Sequence, residues 1–363
     1  MTWNKKSSAA LRKKLLKWFD GHQRDLPWRK NKTPYRIWIS EIMLQQTQVA
    51  TVIDYYLRFM KRFPNVKKLA AADQADVLKL WEGLGYYRRA RQLHAAAIEI
   101  VENRGGVFPE TFDEVLSLPG IGRYTAGAIL SISQDQQLPI LEGNTIRLHA
   151  RLLGMKSDPR NTANQKVLWE FAETILPRLR CGDFNQSLME VGNQICKPKQ
   201  PLCNQCPIAS LCPTFVKGWQ DVIPAKGKKT VYEDLREAVV LLSKKSRGQS
   251  KWLVRVCGPD ERWAGLWDFP RYKFDGASEV DALAQQLELK TGLVANLKSR
   301  GRPIKHAVTR YRIELHCFEA TEFTGRLKKQ PTETRWATLE ELNKLPMSVT
   351  GRKIVGRLKP DCS

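Results

Sequence analysis

Acidic residues are the scarce class in this chain of 363: 37 Asp and Glu stand against 60 Lys and Arg, a formal charge of +23. A solvated surface without a charged partner sits nearer balance. The deficit therefore points to a polyanion, nucleic acid first and an anionic membrane second. Also missing is any run near the roughly 20 apolar residues that a membrane-spanning helix needs. The opening stretch MTWNKKSSAALRKK is charged and has no apolar core, so no secretory leader is expected. Without one, the eight cysteines do not read as a disulfide framework. Four of them, Cys181, Cys257, Cys317 and Cys362, are scattered and read as small hydrophobes.

What is present divides the chain by texture. Its length suggests two or three domains, and a 42% apolar share is enough for real cores. Ser7 or Ser8 reads as the N-cap of a helix with Leu11, Leu15, Trp18 and Phe19 on one face. Thr33-Pro34-Tyr35 starts a second helix carrying Trp38, Ile39, Ile42 and Met43, with Glu41 pointing elsewhere. Strand alternation is nearly absent before residue 225, and residues 1–212 read as an all-α domain. Residues 213–232, with two prolines and four lysines, read as a linker. An α+β domain follows over 233–346. Its strands are expected at 238–242, 252–256 and 311–316, and a helix from Glu279 to Lys290 is closed by Thr291-Gly292. A basic tail is expected over 347–363.

Three features carry chemistry. The first, Leu118-Pro119-Gly120-Ile121-Gly122, separates two helical patterns. Pro119 ends the first helix, and Gly120 and Gly122 permit a sharp turn that leaves amide N–H groups free for a phosphate. An ordinary helix–helix connector fits that string as well. The second is Cys196, Cys203, Cys206 and Cys212, spaced by six, two and five residues. Zinc ribbons favour two close pairs, and this spacing suits a cube-shaped iron–sulfur cluster better. The third is Glu41, which alone would read as a solvated carboxylate.

The strings around these residues change that reading. SEIMLQQTQV (40–49), GLGYYRRAR (83–91), LPGIGRYTAGAI (118–129) and FNQSLMEVG (184–192) run in order, and WAGLWDFP (263–270) extends them into the second domain. With the cysteine loop, they resemble the A/G-specific adenine DNA glycosylases of the helix–hairpin–helix, endonuclease III superfamily. The resemblance implies a helical glycosylase domain with a 4Fe–4S loop over 196–212, then a Nudix-like domain. It implies excision of adenine mispaired with 8-oxoguanine or guanine in double-stranded DNA, by a monomer in the cytoplasm or nucleoid. Repair or replication proteins such as a sliding clamp are further possible partners.

Residue by residue, the same resemblance makes Glu41 the acid that protonates adenine at N7. Position 142 holds the second carboxylate, and Asn144 orients it or binds the flipped nucleotide; a helix N-cap is an equally compatible role for Asn144. Tyr124 stands where lyase-capable relatives carry the Schiff-base lysine, so base removal without strand cleavage is implied. Gln46 and Tyr86 match wedge residues near the flipped base, although Tyr86 beside Tyr87 also reads as core. Arg29, Arg88, Arg89 and Arg91 are candidates for phosphate contacts.

Two departures stand out. The family motif has Asp before Gly-Asn, whereas this chain reads Leu141-Glu142-Gly143-Asn144. A repacked site, a slow enzyme and a mismatch-binding protein with little catalysis all remain open; so does a glycosylase for thymine or uracil, which Glu41 disfavours. Where the family has a Phe-Ser-His loop that reads 8-oxoguanine, this chain has Val308-Thr309-Arg310. Thr309 keeps a hydroxyl, and Arg310 can grip a phosphate or donate to O8, or to O6 and N7 of guanine. The Nudix helix run, Gln285 to Gly292, holds one carboxylate, Glu288, so metal-dependent pyrophosphate hydrolysis is not expected there.

Overall fold

The computed structural model describes residues 3–225, 227, 231–274 and 280–358. Its contacts separate two compact units. One comprises Met1–Ala71 with Gln92–Lys228, and the other Ala72–Arg91 with Lys229–Ser363. Among the described residues no helix is long and apolar enough to cross a membrane.

The first unit is helical. Its opening helix, Lys5–His22, starts earlier than the serines suggest. Asn4 accepts from the Ser7 amide while Ser7 caps Asn4 in return, so the reciprocal box forms one turn upstream. Leu11 and Leu15 bury against Phe184, Leu188 and their neighbours, and Phe19 is buried with the Arg29 guanidinium over its ring. Pro34–Leu44 begins as expected, with Thr33 as N-cap and Pro34 in the first turn. Tyr35 and every residue from Ile37 to Met43 are buried, so this helix has almost no solvent face. Phe112–Ser117, the turn at Leu118–Gly122 and Arg123–Gln134 form the helix–hairpin–helix. Gly120 sits at φ +79°, where a side chain would also strike Gln92.

The second unit is built on a mixed sheet. Glu233–Ser246 lies at its centre, parallel to Tyr311–Ala320 and antiparallel to Gln249–Val256 and Arg271–Lys273. Val239 and Leu241 point into one core; Ala238, Val240 and Leu242 point into the other. Burial on both faces is why the sequence shows an unbroken apolar run there rather than alternation. Val280–Thr291 covers one face through Leu283 and Leu287; the expected first residue of this helix, Glu279, lies outside the described residues.

The other face corrects the tail assignment. Leu339–Lys344 and Val349–Val355 are helices, and Leu342, Ile354, Val355 and Leu358 are core residues. Basic side chains at 352, 353 and 357 hide that apolar spacing in the sequence. The linker also begins later than residue 213. Pro213–Val216 is a helical turn with Thr214 buried, its hydroxyl donating to the Arg151 carbonyl at 2.6 Å. The linker lysines Lys226, Lys228 and Lys229 lie outside the described residues. Cys181, Cys257 and Cys317 are buried free thiols, as their scatter suggests; Cys362 falls outside the described residues.

Candidate active site

A cleft of about 750 Å³ opens in the helical unit where three helix ends meet. Pro34–Leu44 supplies Glu41, Arg123–Gln134 supplies Tyr124 from its first turn, and Gly143–Leu153 supplies Glu142 and Asn144. Glu41 is 4% exposed, and apart from Ser40 the other buried side chains of its helix are aromatic or aliphatic. The Tyr124 hydroxyl donates to its Oε2 at 2.6 Å. Burial pushes the Glu41 carboxyl up to about 7; Glu142 pushes in the same direction, and the Tyr124 hydrogen bond and Arg29 oppose it. Glu41 therefore carries a proton through much of the neutral range. Burial and the two nearby carboxyls raise the Tyr124 phenol far above its usual range, so it acts only as a neutral donor.

Glu142 is itself the N-cap of Gly143–Leu153. Its Oε2 accepts from the Asn144 amide at 2.9 Å and its Oε1 from the Thr145 amide at 3.0 Å. Thr145 Oγ1 accepts from the Glu142 amide in return, at 2.8 Å. The extra methylene is thus folded into a capping box, and the carboxylate rests where amides and the helix dipole favour negative charge. Burial raises its pKa, with those amides and Arg147 opposing. Asn144 is not the cap. It is the second residue of the helix, its Nδ2 donating to Glu142 at 3.2 Å and its Oδ1 accepting from Arg147 Nη2 at 2.9 Å.

Several residues that carry the site were not singled out from sequence. Arg147 donates to the Gly192 and Cys196 carbonyls, both at 2.6 Å, and so links Asn144 to the start of the cysteine loop. Gly192 lies in a π-helical turn, Val191–Ile195, where a Cβ would come within 2.7 Å of the Asn144 Cβ. Glu190, 1% exposed, binds Arg24 at 2.9 Å and Arg29 at 2.8 Å. The available signal was its carboxylate set among the apolar residues of FNQSLMEVG, but its partners lie far away in the chain.

That cluster corrects one assignment. Arg29, expected on the phosphate backbone, turns inward and lines the cleft, donating also to Gln186 at 2.9 Å. Gln46 lies beyond the end of its helix, exposed, at φ +58°. Strained backbone in a non-glycine residue at the lip of a cleft fits a contact residue. Gly122 caps Arg123–Gln134 with open space around it, leaving the first amides of that helix accessible.

In the second unit, Gly83, Gly85 and Tyr86 all have positive φ, making a tight tip from which Tyr86 projects, 51% exposed. Tyr87 is the core residue of the pair, its hydroxyl accepting from the Gly83 amide at 3.1 Å. Arg89, expected at the phosphates, folds back over Trp81 and Tyr86 and donates to the Gly85 carbonyl at 3.2 Å. Arg91 donates to the Ala264 carbonyl. Val308, Thr309 and Arg310 form the turn between Ile304–Val308 and Tyr311–Ala320, with Thr309 at φ +52° and both Thr309 and Arg310 exposed.

The four loop cysteines line one small cavity with Leu148, Ile195 and Arg151. Among the described residues no three His, Cys, Asp or Glu side chains converge as a single-ion site requires. Burial raises the thiols of Cys203, Cys206 and Cys212, the Cys206 thiol to about 12. Arg151, 2% exposed, donates to the Cys196 sulfur at 3.2 Å and to the carbonyls of Lys197, Gln220 and Ile223. A buried cation facing sulfurs rather than a carboxylate fits a group of net negative charge in the cavity.

Comparison with known proteins places this geometry. Residues 39–174 match the HhH-GPD superfamily of base excision DNA repair proteins, and residues 239–357 match the NUDIX domain. An adenine DNA glycosylase of Mus musculus is 32% identical over 95% of this chain and 77% of its own length. One from Buchnera aphidicola (Schizaphis graminum strain) is 40% identical over 71% of this chain and 74% of its own. The rat relative is 47% identical, but the match spans 41% of its length. Among solved structures, a thermostable thymine-DNA glycosylase superposes with TM-score 0.54 at 30% identity, covering 58% of this chain and 98% of that one. An endonuclease III–DNA complex, 20% identical with TM-score 0.51 over 61% of this chain and 100% of its own, shares the fold. A buried protonatable glutamate, a capped second carboxylate and a helix–hairpin–helix therefore stand in a chain that belongs to the adenine DNA glycosylase family.

Proposed function

We propose that this protein removes adenine mispaired with 8-oxoguanine or guanine, hydrolysing the N-glycosidic bond of the flipped base and leaving an abasic site. The observation that carries the reading is Glu41: a buried carboxyl with a pKa of about 7, held by Tyr124 in a cleft that contains a second carboxylate. Adenine leaves poorly as an anion, and a carboxyl protonated at neutral pH can deliver its proton to N7 as the bond lengthens. The sugar then becomes oxocarbenium-like, and the Glu142 carboxylate stabilises that cation. Water adds at the anomeric carbon and gives its proton to the Glu41 carboxylate, which restores the acid. Tyr124 offers no amine, so no Schiff base forms and the strand stays intact.

Gln46 and Tyr86 are proposed to fill the space left by flipping, and the Val308-Thr309-Arg310 turn to read the opposite base. Cys196, Cys203, Cys206 and Cys212 would hold a 4Fe–4S cluster, which supplies an anchor for a loop flanked by Lys197, Lys199 and Lys217. Cys203→Ser is expected to abolish brown visible absorbance and to weaken duplex binding; a colourless native protein containing zinc would contradict the assignment. The reaction itself is tested by product analysis on 8-oxoguanine·A and G·A duplexes. Free adenine and an uncleaved, alkali-labile strand are expected, whereas tight mispair binding without adenine release would favour a binding protein.

Tyr124 also gives a signed prediction. Its hydrogen bond holds the Glu41 pKa down, so Tyr124→Phe moves the high-pH limb of the rate profile to higher pH. A single-turnover pH series checks the shift; an unchanged limb would mean that Glu41 is not the group titrating there.

A further inference from the structure

The segment Ala72–Arg91 groups with the C-terminal fold, although residues on both sides of it belong to the helical unit. Its attachment is specific. Arg352, on the helix Val349–Val355, meets Glu82 through Nε at 2.6 Å and Nη2 at 3.1 Å. Lys79 joins Glu82 at 2.9 Å and donates to the Asn343 carbonyl at 2.9 Å. Arg352 also donates to the Leu342 and Leu345 carbonyls. Two cations thus satisfy the end of Leu339–Lys344, and Glu82 is the carboxylate that binds both. Glu82 lies at the base of the positive-φ turn whose tip is Tyr86.

A continuous set of contacts runs from the same helix to the Val308–Arg310 turn. Thr350, 2% exposed, accepts from Arg271 at 3.1 Å. Arg271 pairs with Glu237 at 3.1 Å, and Glu237 pairs with Arg262 at 2.8 Å. The Arg262 guanidinium lies 5.2 Å from the Tyr311 ring centroid, and Arg310 donates to the Tyr311 hydroxyl at 3.0 Å. Charge pairs and ring contacts of this kind, largely withdrawn from water along the middle of the path, resist small displacements and pass them on.

We propose that Glu82 and Arg352 are positioning residues that couple the Arg310 turn to the Tyr86 tip, so that the base opposite adenine controls how the wedge is set. The inference rests on the proposed roles of that turn and of Tyr86, and it adds the route between them. It is tested in the full-length protein with Glu82→Ala, Arg310→Ala and the double variant, by single-turnover rates on 8-oxoguanine·A and G·A duplexes. Each single substitution is expected to lower the rate ratio between the two duplexes by about tenfold, a coupling typical of linked sites, and in Glu82→Ala, which touches no DNA, the G·A rate should stay within about twofold of native. The double variant should be no lower than the singles. Glu82→Gln, which keeps the side-chain volume, guards against a variant that fails to fold and should lower the ratio in the same direction.

Additive losses in the double variant, or a parallel fall on both duplexes, would overturn the coupling. An unchanged ratio in Glu82→Ala would overturn it as well. If the native protein released no adenine from either duplex, the proposed reaction would fail; the same ratio taken from dissociation constants would then decide the coupling separately.

Discussion

Glu41→Gln is expected to lower single-turnover adenine release by roughly 10²- to 10⁴-fold, the range that general acids supply, with duplex binding retained. Glutamine keeps the shape and the acceptor for the Tyr124 hydroxyl and removes only the proton. The substitution should also stabilise the protein in a pH-dependent way. The folded-state pKa of Glu41 is about 7 against an ordinary 4.5. Its protonated form therefore costs nothing below pH 4.5, and the stability it contributes is lost as pH rises through 7. Above that, burying the ionised carboxylate costs roughly 3 kcal/mol at 1.36 kcal/mol per pKa unit. Melting curves should show Glu41→Gln equal to native near pH 4 and higher by several degrees at pH 8. An equal loss of stability at both pH values would show that the site is not a strained acid.

The second large effect lies at Glu142. Glu142→Gln removes the charge opposite the developing oxocarbenium ion and should cost about 10²- to 10³-fold, as loss of one preorganised electrostatic group does. It should also move the high-pH limb of the remaining activity to lower pH, because the nearby Glu142 charge helps to hold the Glu41 pKa up. Glu142→Asp should retain activity within about tenfold of native, since Asp is a favoured N-cap and reaches the same two amides. Rates for the three forms on one duplex make the comparison. A native protein with no activity that is restored by Asp would mean that the longer side chain misplaces its charge.

Much of this site was legible in the sequence because its residues sit in short strings. Thr33-Pro34 fixes the start of the helix that carries Glu41, the PGIG turn fixes the start of the one that carries Tyr124, and Glu142 begins a third. What sequence could not show is the set of partners that meet only in three dimensions. Arg29 reads as a surface cation until Glu190, brought from a distant helix, turns it inward. Asn144 reads as a cap until the longer Glu142 takes that place itself. Arg147 and Arg151 lie one helical turn apart with nothing to mark them except the cysteine loop they reach.

The fold divides in the same way. The apolar runs at 238–242 and 252–256 announce strands, because central strands are buried on both faces. The final helix is masked by Arg352 and Lys353, which stand between the buried pairs Thr350-Gly351 and Ile354-Val355. Helical spacing alone could not assign residues 72–91 to the C-terminal fold. That grouping depends on Glu82 finding Arg352 and Lys79 finding the end of Leu339–Lys344.

The most direct test of the central claim is the pH dependence of adenine release by the native chain from an 8-oxoguanine·A duplex under single-turnover conditions. The rate should be bell-shaped, falling above a pH of about 7 as Glu41 loses its proton, and falling on the acid side as Glu142 gains one. A profile flat through neutrality, or one whose high-pH limb survives unchanged in Glu41→Gln, would contradict the assignment of Glu41 as the acid.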